Sequence, residues 1–203
     1  MVRMSLSFNK TLIILVMLSL VSILGCSKMK KEIDIDIINE ALRQTENIAS
    51  PDPGSIMESN FFERFKSFYN EYNMNVISSS VDDLYAENAF FADPYHNVQG
   101  ITDIENYFLA MAEPTQSCKF NIEKIQRSEN DFYCRWTMYL ISKAAPNEKI
   151  IAQGLTHMRI NINGKIIFHQ DYWDTSVLLD RLPVVGFWTK IVKNRILKGI
   201  HHD

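Results

Sequence analysis

The sequence predicts an α+β domain, a cone-shaped, curved antiparallel sheet closed by N-terminal helices. Three observations carry this reading. Apolar residues recur at helical spacing between residues 57 and 112. From residue 118 to 175 they alternate with polar residues at the strand period of two. Within that second stretch Asn163-Gly164 marks a tight hairpin, because Asn and Gly tolerate positive φ. Helices come early and a meander comes late. The chain has no internal repeat and no low-complexity tract.

The N-terminus reads as an address. Arg3 and Lys10 precede an apolar run, Thr11–Leu24, of 14 residues. A membrane-spanning helix needs about 20. A basic start and a short apolar run describe a secretory signal. The run ends Ile23-Leu24-Gly25-Cys26, which resembles the lipobox of bacterial lipoproteins, although Leu24 is bulkier than the usual residue there. The resemblance implies a signal peptide over 1–25, cleavage after Gly25 and lipidation of Cys26. Acyl chains there would hold the protein at a membrane without a spanning helix. An uncleaved N-terminal anchor is the alternative. The implied location is the bacterial cell envelope. Ser27 in place of Asp favours the outer membrane where the organism has one.

Residues 26–54 read as a lipidated tether, Ser27-Lys28-Met29-Lys30-Lys31, followed by a weak helix over Asp36–Asn47. Ser50-Pro51-Asp52-Pro53-Gly54-Ser55 breaks the chain, and the cone domain spans 55–182. Phe61, Phe65, Phe68 and Tyr72 make one face of a helix over Met57–Met74. Ser78-Ser79-Ser80 offers caps for a short helix, Val81–Tyr85, with Asp82 and Asp83 in its first turn. A strand over Ala89–Ala92 ends at Asp93-Pro94, and His96 and Gly100 lie in the following loop. Thr102 and Glu105 form a capping box for a helix over Thr102–Ala112.

Cys118, Phe120 and Ile122 mark the next strand, and Ser128–Asp131 a turn. Strands follow over Phe132–Lys143, Ile150–Ile160 and Lys165–Thr175, with a turn at Ala145-Pro146-Asn147. Residues 183–203 form a separate C-terminal segment. Its helix, Phe187–Ile200, carries Phe187, Trp188, Ile191, Val192 and Leu197 beside Lys190, Lys193, Arg195 and Lys198. Such a helix either lies on an anionic bilayer surface or packs its apolar stripe on the domain.

Composition narrows the function classes. The 21 basic and 24 acidic side chains give a net charge of −3, which excludes a generally basic nucleic-acid binder. Three cysteines are too few for a disulfide scaffold. No phosphate-binding glycine loop, dinucleotide fingerprint, serine-hydrolase elbow or C-x-x-C pair is present, so no cofactor is expected. His96, His157, His169 and Asp171 lack a recognised ligand spacing, and no metal site is expected. His201-His202 reads as a solvated tail.

The last hairpin locates candidate chemistry. A two-residue Asn163-Gly164 turn pairs Ile162 with Lys165. Extending that register sets Met158 opposite His169, Thr156 opposite Asp171 and Gly154 opposite Trp173. Their shared face is apolar except for His169, Asp171 and Thr156, as expected of a pocket with a few convergent polar groups. Asp171 and His169 are therefore the candidates for acid–base work. The competing reading is a buried Asp–His hydrogen bond that only ties two strands. Thr156, Met158, Trp136 and Trp173 read as pocket walls. For the thiols, the Ser128–Asp131 turn sets Arg127 opposite Phe132 and Cys134 opposite Ile125. Cys118 then lies over about 20 Å away, at about 3.3 Å per residue, and no Cys118–Cys134 disulfide is expected.

Several motifs together resemble a SnoaL-like domain of the nuclear transport factor 2-like superfamily over about residues 57–182. They are Phe91-Ala92-Asp93-Pro94-Tyr95-His96, Gly100-Ile101, Tyr107-Phe108, Gly154-Leu155-Thr156-His157, Asn163-Gly164-Lys165-Ile166 and His169-Gln170-Asp171-Tyr172-Trp173-Asp174. The resemblance implies a cone with an apolar pocket and a homodimer through the open sheet face. It also implies a pocket Asp or His for chemistry where there is any. It places Asp93 and His96 near the pocket mouth by analogy, and makes Tyr69 or Tyr72 the residue that would donate a hydroxyl into the cone. Within such a superfamily, fold does not settle function. The first reading is a lipid-anchored binder of a small, largely apolar ligand. The alternatives are an isomerase, cyclase or hydrolase using Asp171 and His169, and a non-catalytic interaction module of the envelope.

Overall fold

The computed structural model describes residues 35–181 and 185–200. The signal segment, Cys26, the tether, the break at Leu182-Pro183-Val184 and the His201-His202 tail lie outside them. Helix α1 (Ile35–Thr45) stands where the weak helix is expected and buries Ile38, Ala41 and Thr45. It packs on the outer face of the last strand. There the Arg159 guanidinium donates to the Leu42 carbonyl at 2.7 Å.

Helix α2 (Ile56–Asn70) starts at Ser55, whose hydroxyl accepts the Glu58 amide at 3.2 Å. The Glu58 carboxylate accepts the Gly54 amide at 2.6 Å and pairs with Arg127 at 2.8 Å. This ties the entry of the domain to the sheet. The expected helix over Met57–Met74 stops early, because Asn73 starts a new one. Its side chain accepts the amides of Asn75 and Val76 and caps α3 (Met74–Leu84). Ser78–Ser80 therefore lie inside a helix rather than at its start. Ser79 satisfies its hydroxyl on the Val76 carbonyl, a local bond that keeps serine tolerable within a helix. Asp82 and Asp83 fall in the last turn, where Lys165 donates to the Asp82 carbonyl at 2.8 Å.

Strand β1 (Tyr85–Ala92) begins earlier than expected, and β2 (Asn97–Gln99) forms where a loop is expected, pairing Phe91 with Val98. Helix α4 (Ile101–Ala112) is capped at Gly100, whose φ of 91° suits only glycine well. Thr102 is thus already inside the helix, and its expected capping box does not form. Strands β3 (Thr115–Ser128), β4 (Asp131–Ser142), β5 (Ala145–Ile160) and β6 (Ile166–Trp173) make the meander. The turn expected at Ala145–Asn147 belongs to β5. The chain reverses instead at Lys143-Ala144, with Ser142 paired to Ala145. Short α5 (Ser176–Leu179) and α6 (Val185–Ile200) follow.

The six strands form one curved, unclosed sheet in the order β2-β1-β6-β5-β4-β3. Every ladder is antiparallel except one. β1 runs parallel to β6, with Phe91 beside His169, and this ladder joins the early half of the chain to the meander. The β5–β6 register is the one expected: Met158–His169, Thr156–Asp171 and Gly154–Trp173. It is reached differently, however. Asn161 and Lys165 close a longer loop, with positive φ at Gly164 but not at Asn163. An irregularity between Arg159 and Ile160 then restores the pairing. In β3–β4, Ile125 faces Cys134 and Arg127 faces Phe132 as expected, and Cys118 and Cys134 are free, buried thiols.

Candidate functional site

Between the inner face of the sheet and helices α2 and α4 lies a cavity of about 210 Å³. An apolar cavity of about 150 Å³ already takes benzene. Eight of its eighteen lining residues are aromatic, among them Tyr69, Phe108, Trp136 and Trp173. Leu178 of α5 lines it from the far end. The charged side chains on its wall are Asp93 and Asp171; no Lys, Arg or His lines it.

Asp171 sits near the end of β6, alternating inward with His169. Its Oδ1 accepts two bonds, from the Thr156 hydroxyl at 2.5 Å and from His169 Nε2 at 2.9 Å. Trp136 Nε1 donates to Thr156 at 2.9 Å. On the other side His169 Nδ1 meets the Tyr85 hydroxyl at 2.9 Å, and Tyr85 meets Tyr69 at 2.7 Å. Six side chains from α2, β1, β4, β5 and β6 thus form one hydrogen-bonded line ending at a carboxylate.

One arrangement that pairs every hydroxyl proton has Tyr69 donate to Tyr85, Tyr85 to His169 Nδ1, and Nε2 to Asp171. The His169 side chain is 1% exposed and that of Asp171 is 16% exposed. Oδ1 is fully engaged, while no hydrogen bond from the described residues reaches Oδ2.

Trp136 lies flat across β5 because residue 154 is glycine. A Cβ at Gly154 would stand 2.3 Å from the Trp136 ring. The small residue is thus what lets the indole reach Thr156.

Asp93 closes the other side. Its Oδ1 accepts the amides of Tyr95 and His96 at 2.8 and 2.9 Å, and its Oδ2 accepts the Tyr107 hydroxyl at 2.8 Å. Burial pushes the Asp93 carboxyl above its ordinary range, against these hydrogen bonds. Burial and then the Asp93 charge push the Tyr107 hydroxyl well up, so it remains a donor.

Of the expected site residues, Asp171, Asp93, Tyr69, Tyr72, Trp136 and Trp173 line the cavity. His169 and Thr156 stand one layer behind, orienting Asp171. Met158 is wholly buried and does not reach the cavity, and His96 packs by Tyr107 outside it. The two tyrosines separate here: Tyr69 joins the line to Asp171, whereas Tyr72 donates to the Phe108 carbonyl at 3.4 Å. Tyr85, Tyr107 and Gly154 are structural partners that the sequence reading did not assign. Tyr85 was hidden by its placement at a helix end. Only the parallel β1–β6 ladder brings it to His169. Among the described residues no group of His, Cys, Asp and Glu is placed to hold a metal ion, and no helix is long and apolar enough to cross a membrane.

Solved structures with related folds are numerous but distant. An NTF2-like protein of unknown function from Burkholderia pseudomallei K96243 is 8% identical, with a TM-score of 0.53 over 62% of this chain and 96% of its own. A SnoaL-like protein from Shewanella putrefaciens CN-32 is 13% identical, with a TM-score of 0.52 over 64% and 98%. A protein with a ketosteroid isomerase-like fold from Catenulispora acidiphila DSM 44928, in complex with trimethylamine, is 17% identical. Its TM-score is 0.51 over 59% and 88%. Such likenesses show the fold, which is nuclear transport factor 2-like. Among curated proteins none matches the chain. A family profile described as "Uncharacterized conserved protein (DUF2358)" matches residues 63–169, which span α2 to β6 and hold every member of the hydrogen-bonded line except Asp171. By that match the chain belongs to the DUF2358 family.

Proposed function

We propose that the protein binds a small, largely apolar ligand in this cavity, with Asp171 as the polar contact. The observation that carries the reading is a carboxyl oxygen on the wall of an aromatic pocket to which none of the described residues donates a hydrogen bond. An otherwise apolar pocket that keeps this oxygen open to a bound molecule is suited to a ligand that engages it. A thermal-shift screen of the full chain against small aromatic and hydroxylated compounds tests this. A ligand at 100 times its dissociation constant adds about 2.7 kcal/mol, and Asp171→Asn should reduce that shift. No shift with any compound, on protein shown to be unliganded by native mass spectrometry, would refute it.

A second reading is an acid–base enzyme, and the line from Tyr69 to Asp171 favours it. Asp171 Oδ2 would take a proton from the bound molecule, becoming a carboxylic acid, and return it to another atom. Thr156 and His169 would hold Oδ1 in place throughout. In that case Asp171→Asn abolishes turnover while leaving binding and stability nearly intact, a separation a pure binder does not show.

For location, we propose an envelope lipoprotein anchored through Cys26. The supporting features are the apolar run ending Ile23-Leu24-Gly25-Cys26 and the exposed apolar side chains of α6. Phe187, Trp188 and Val192 are each more than half exposed, beside Lys190 and Arg195, as suits a helix lying on an anionic surface. Mass spectrometry of the N-terminal peptide decides it: a diacyl or triacyl Cys26 is expected, and an unmodified residue preceded by Gly25 would refute it.

A further inference from the structure

The charge of the cavity wall is one-sided, and this bears on the ligand. We infer that the pocket selects a small organic cation, an amine or ammonium compound with an apolar body. This deepens, and rests on, the reading of the cavity as a ligand site.

Four observations combine. First, the wall holds two carboxylates and no Lys, Arg or His. Second, the carboxylates differ in how far the protein already satisfies them. Asp93 accepts three hydrogen bonds, two from amides and one from Tyr107, none of them from a cation. Asp171 accepts two on one oxygen and leaves the other open. Third, among the described residues the one basic side chain bonded to either of them is His169, and no lysine or arginine pairs with them. Fourth, eight aromatic side chains make up half of the remaining lining residues.

A carboxylate facing a cavity of low polarity repels anions and gains little from a neutral molecule beyond one hydrogen bond. A cation with an N–H satisfies Oδ2 by a charge-assisted bond, the stronger kind. It also gains from the negative ring faces around it, which hold ammonium groups in aromatic enclosures. An uncharged hydrocarbon would fill the same volume but leave Oδ2 with no partner. The wall therefore discriminates by charge where its shape alone discriminates weakly.

Three probes sharing one ring isolate the charge: benzylammonium, benzyl alcohol and benzoate, titrated into the full chain at pH 7 by ligand-observed NMR. Benzylammonium is expected to bind at least tenfold more tightly than benzyl alcohol, and benzoate not to bind. In Asp171→Asn the preference for benzylammonium over benzyl alcohol should fall below threefold. Asp93→Asn should lower the preference as well, and it serves if the first variant does not fold. Equal or tighter binding of benzyl alcohol would overturn the cation inference and leave the ligand site standing. Binding of benzoate would overturn it equally. Failure of all three probes to bind would remove the ligand site and this inference together.

Discussion

Tyr85 is the residue on which the hydrogen-bonded line depends. It is fully buried, and its hydroxyl is hydrogen-bonded to both the Tyr69 hydroxyl and His169 Nδ1. Removing it strands two buried polar groups, each costing about 1–3 kcal/mol. Tyr85→Phe should therefore lower stability by about 2–6 kcal/mol in urea denaturation, although it removes only a hydroxyl. It should also leave His169 Nδ1 free, which nitrogen NMR of the ring would detect. Gly154 gives a second residue-scale test. Its substitution by Ala places a methyl against the Trp136 ring, and the indole must tilt away from Thr156. Overpacking of this kind costs about 1–3 kcal/mol. A shift in tryptophan fluorescence in Gly154→Ala, together with weaker ligand binding than in wild type, is the expected result. Unchanged fluorescence would mean that the strand moves instead of the ring.

At the scale of elements, the two faces of β5 and β6 do different work. The inner face carries Thr156, His169 and Asp171. The outer face carries His157, Arg159 and Asp131 of β4, and it is covered in part by α1. Arg159 reaches both Asp131, at 2.5 Å, and the Leu42 carbonyl. Burial acts to raise the Asp131 carboxyl, but hydrogen bonds from Arg159 and His157 outweigh it and hold the carboxyl below its ordinary range. A group depressed on folding stabilises above its unfolded pKa and loses that contribution as pH falls through the folded value. Asp131→Asn should thus cost about 1.5–3 kcal/mol at pH 7. The gap to wild type should close as pH drops below about 4. Urea midpoints at pH 7 and pH 3 measure it, and a gap of equal size at both would show that charge is not the cause.

The elements also show what the residue pattern could reveal. Alternation placed β4 and β5, which have one face in the core and one more open, so a slip by one residue would reverse every side chain. Strand β6, buried on both faces from Ile166 to Gln170, was placed by the Asn163-Gly164 turn before it. The register Thr156–Asp171 followed from this even though the turn expected to produce it differs. Where burial is one-sided, the face decides the pairing and the loop adapts. The helix boundary at Asn73 and the strand from Tyr85 were less legible. The first rests on a local cap, the Asn73 side chain on the amides of Asn75 and Val76, beneath an apolar spacing that runs on to Tyr72. The second depends on a partner far along the chain, β6 in the parallel ladder. A parallel pairing leaves no turn signal, since its two strands are not adjacent in sequence. Hence Asp171 and His169 were visible as a pair, whereas Tyr85, which completes them, was not.

For the whole molecule, the two described thiols report on different depths of opening. Burial pushes both the Cys118 and Cys134 thiols up to about 12. Neither is then a reactive thiolate at neutral pH, and labelling requires that the structure open. Cys134 lies in β4, held by ladders on both sides to Ile125 and Thr156. Cys118 lies near the start of β3, the edge strand, paired on one side to Leu140 and lining the cavity. Edge strands open at lower free energy than central ones. Alkylation followed by peptide mapping should therefore modify Cys118 well before Cys134. A ligand in the cavity contributes the same stabilisation to every opening that empties it, about 2.7 kcal/mol at 100 times its dissociation constant. It should slow both residues by about 100-fold if the cavity empties in both openings. Protection of Cys118 alone would mean that the ligand merely covers the thiol. Protection of both would tie occupancy of the cavity to the stability of the entire sheet.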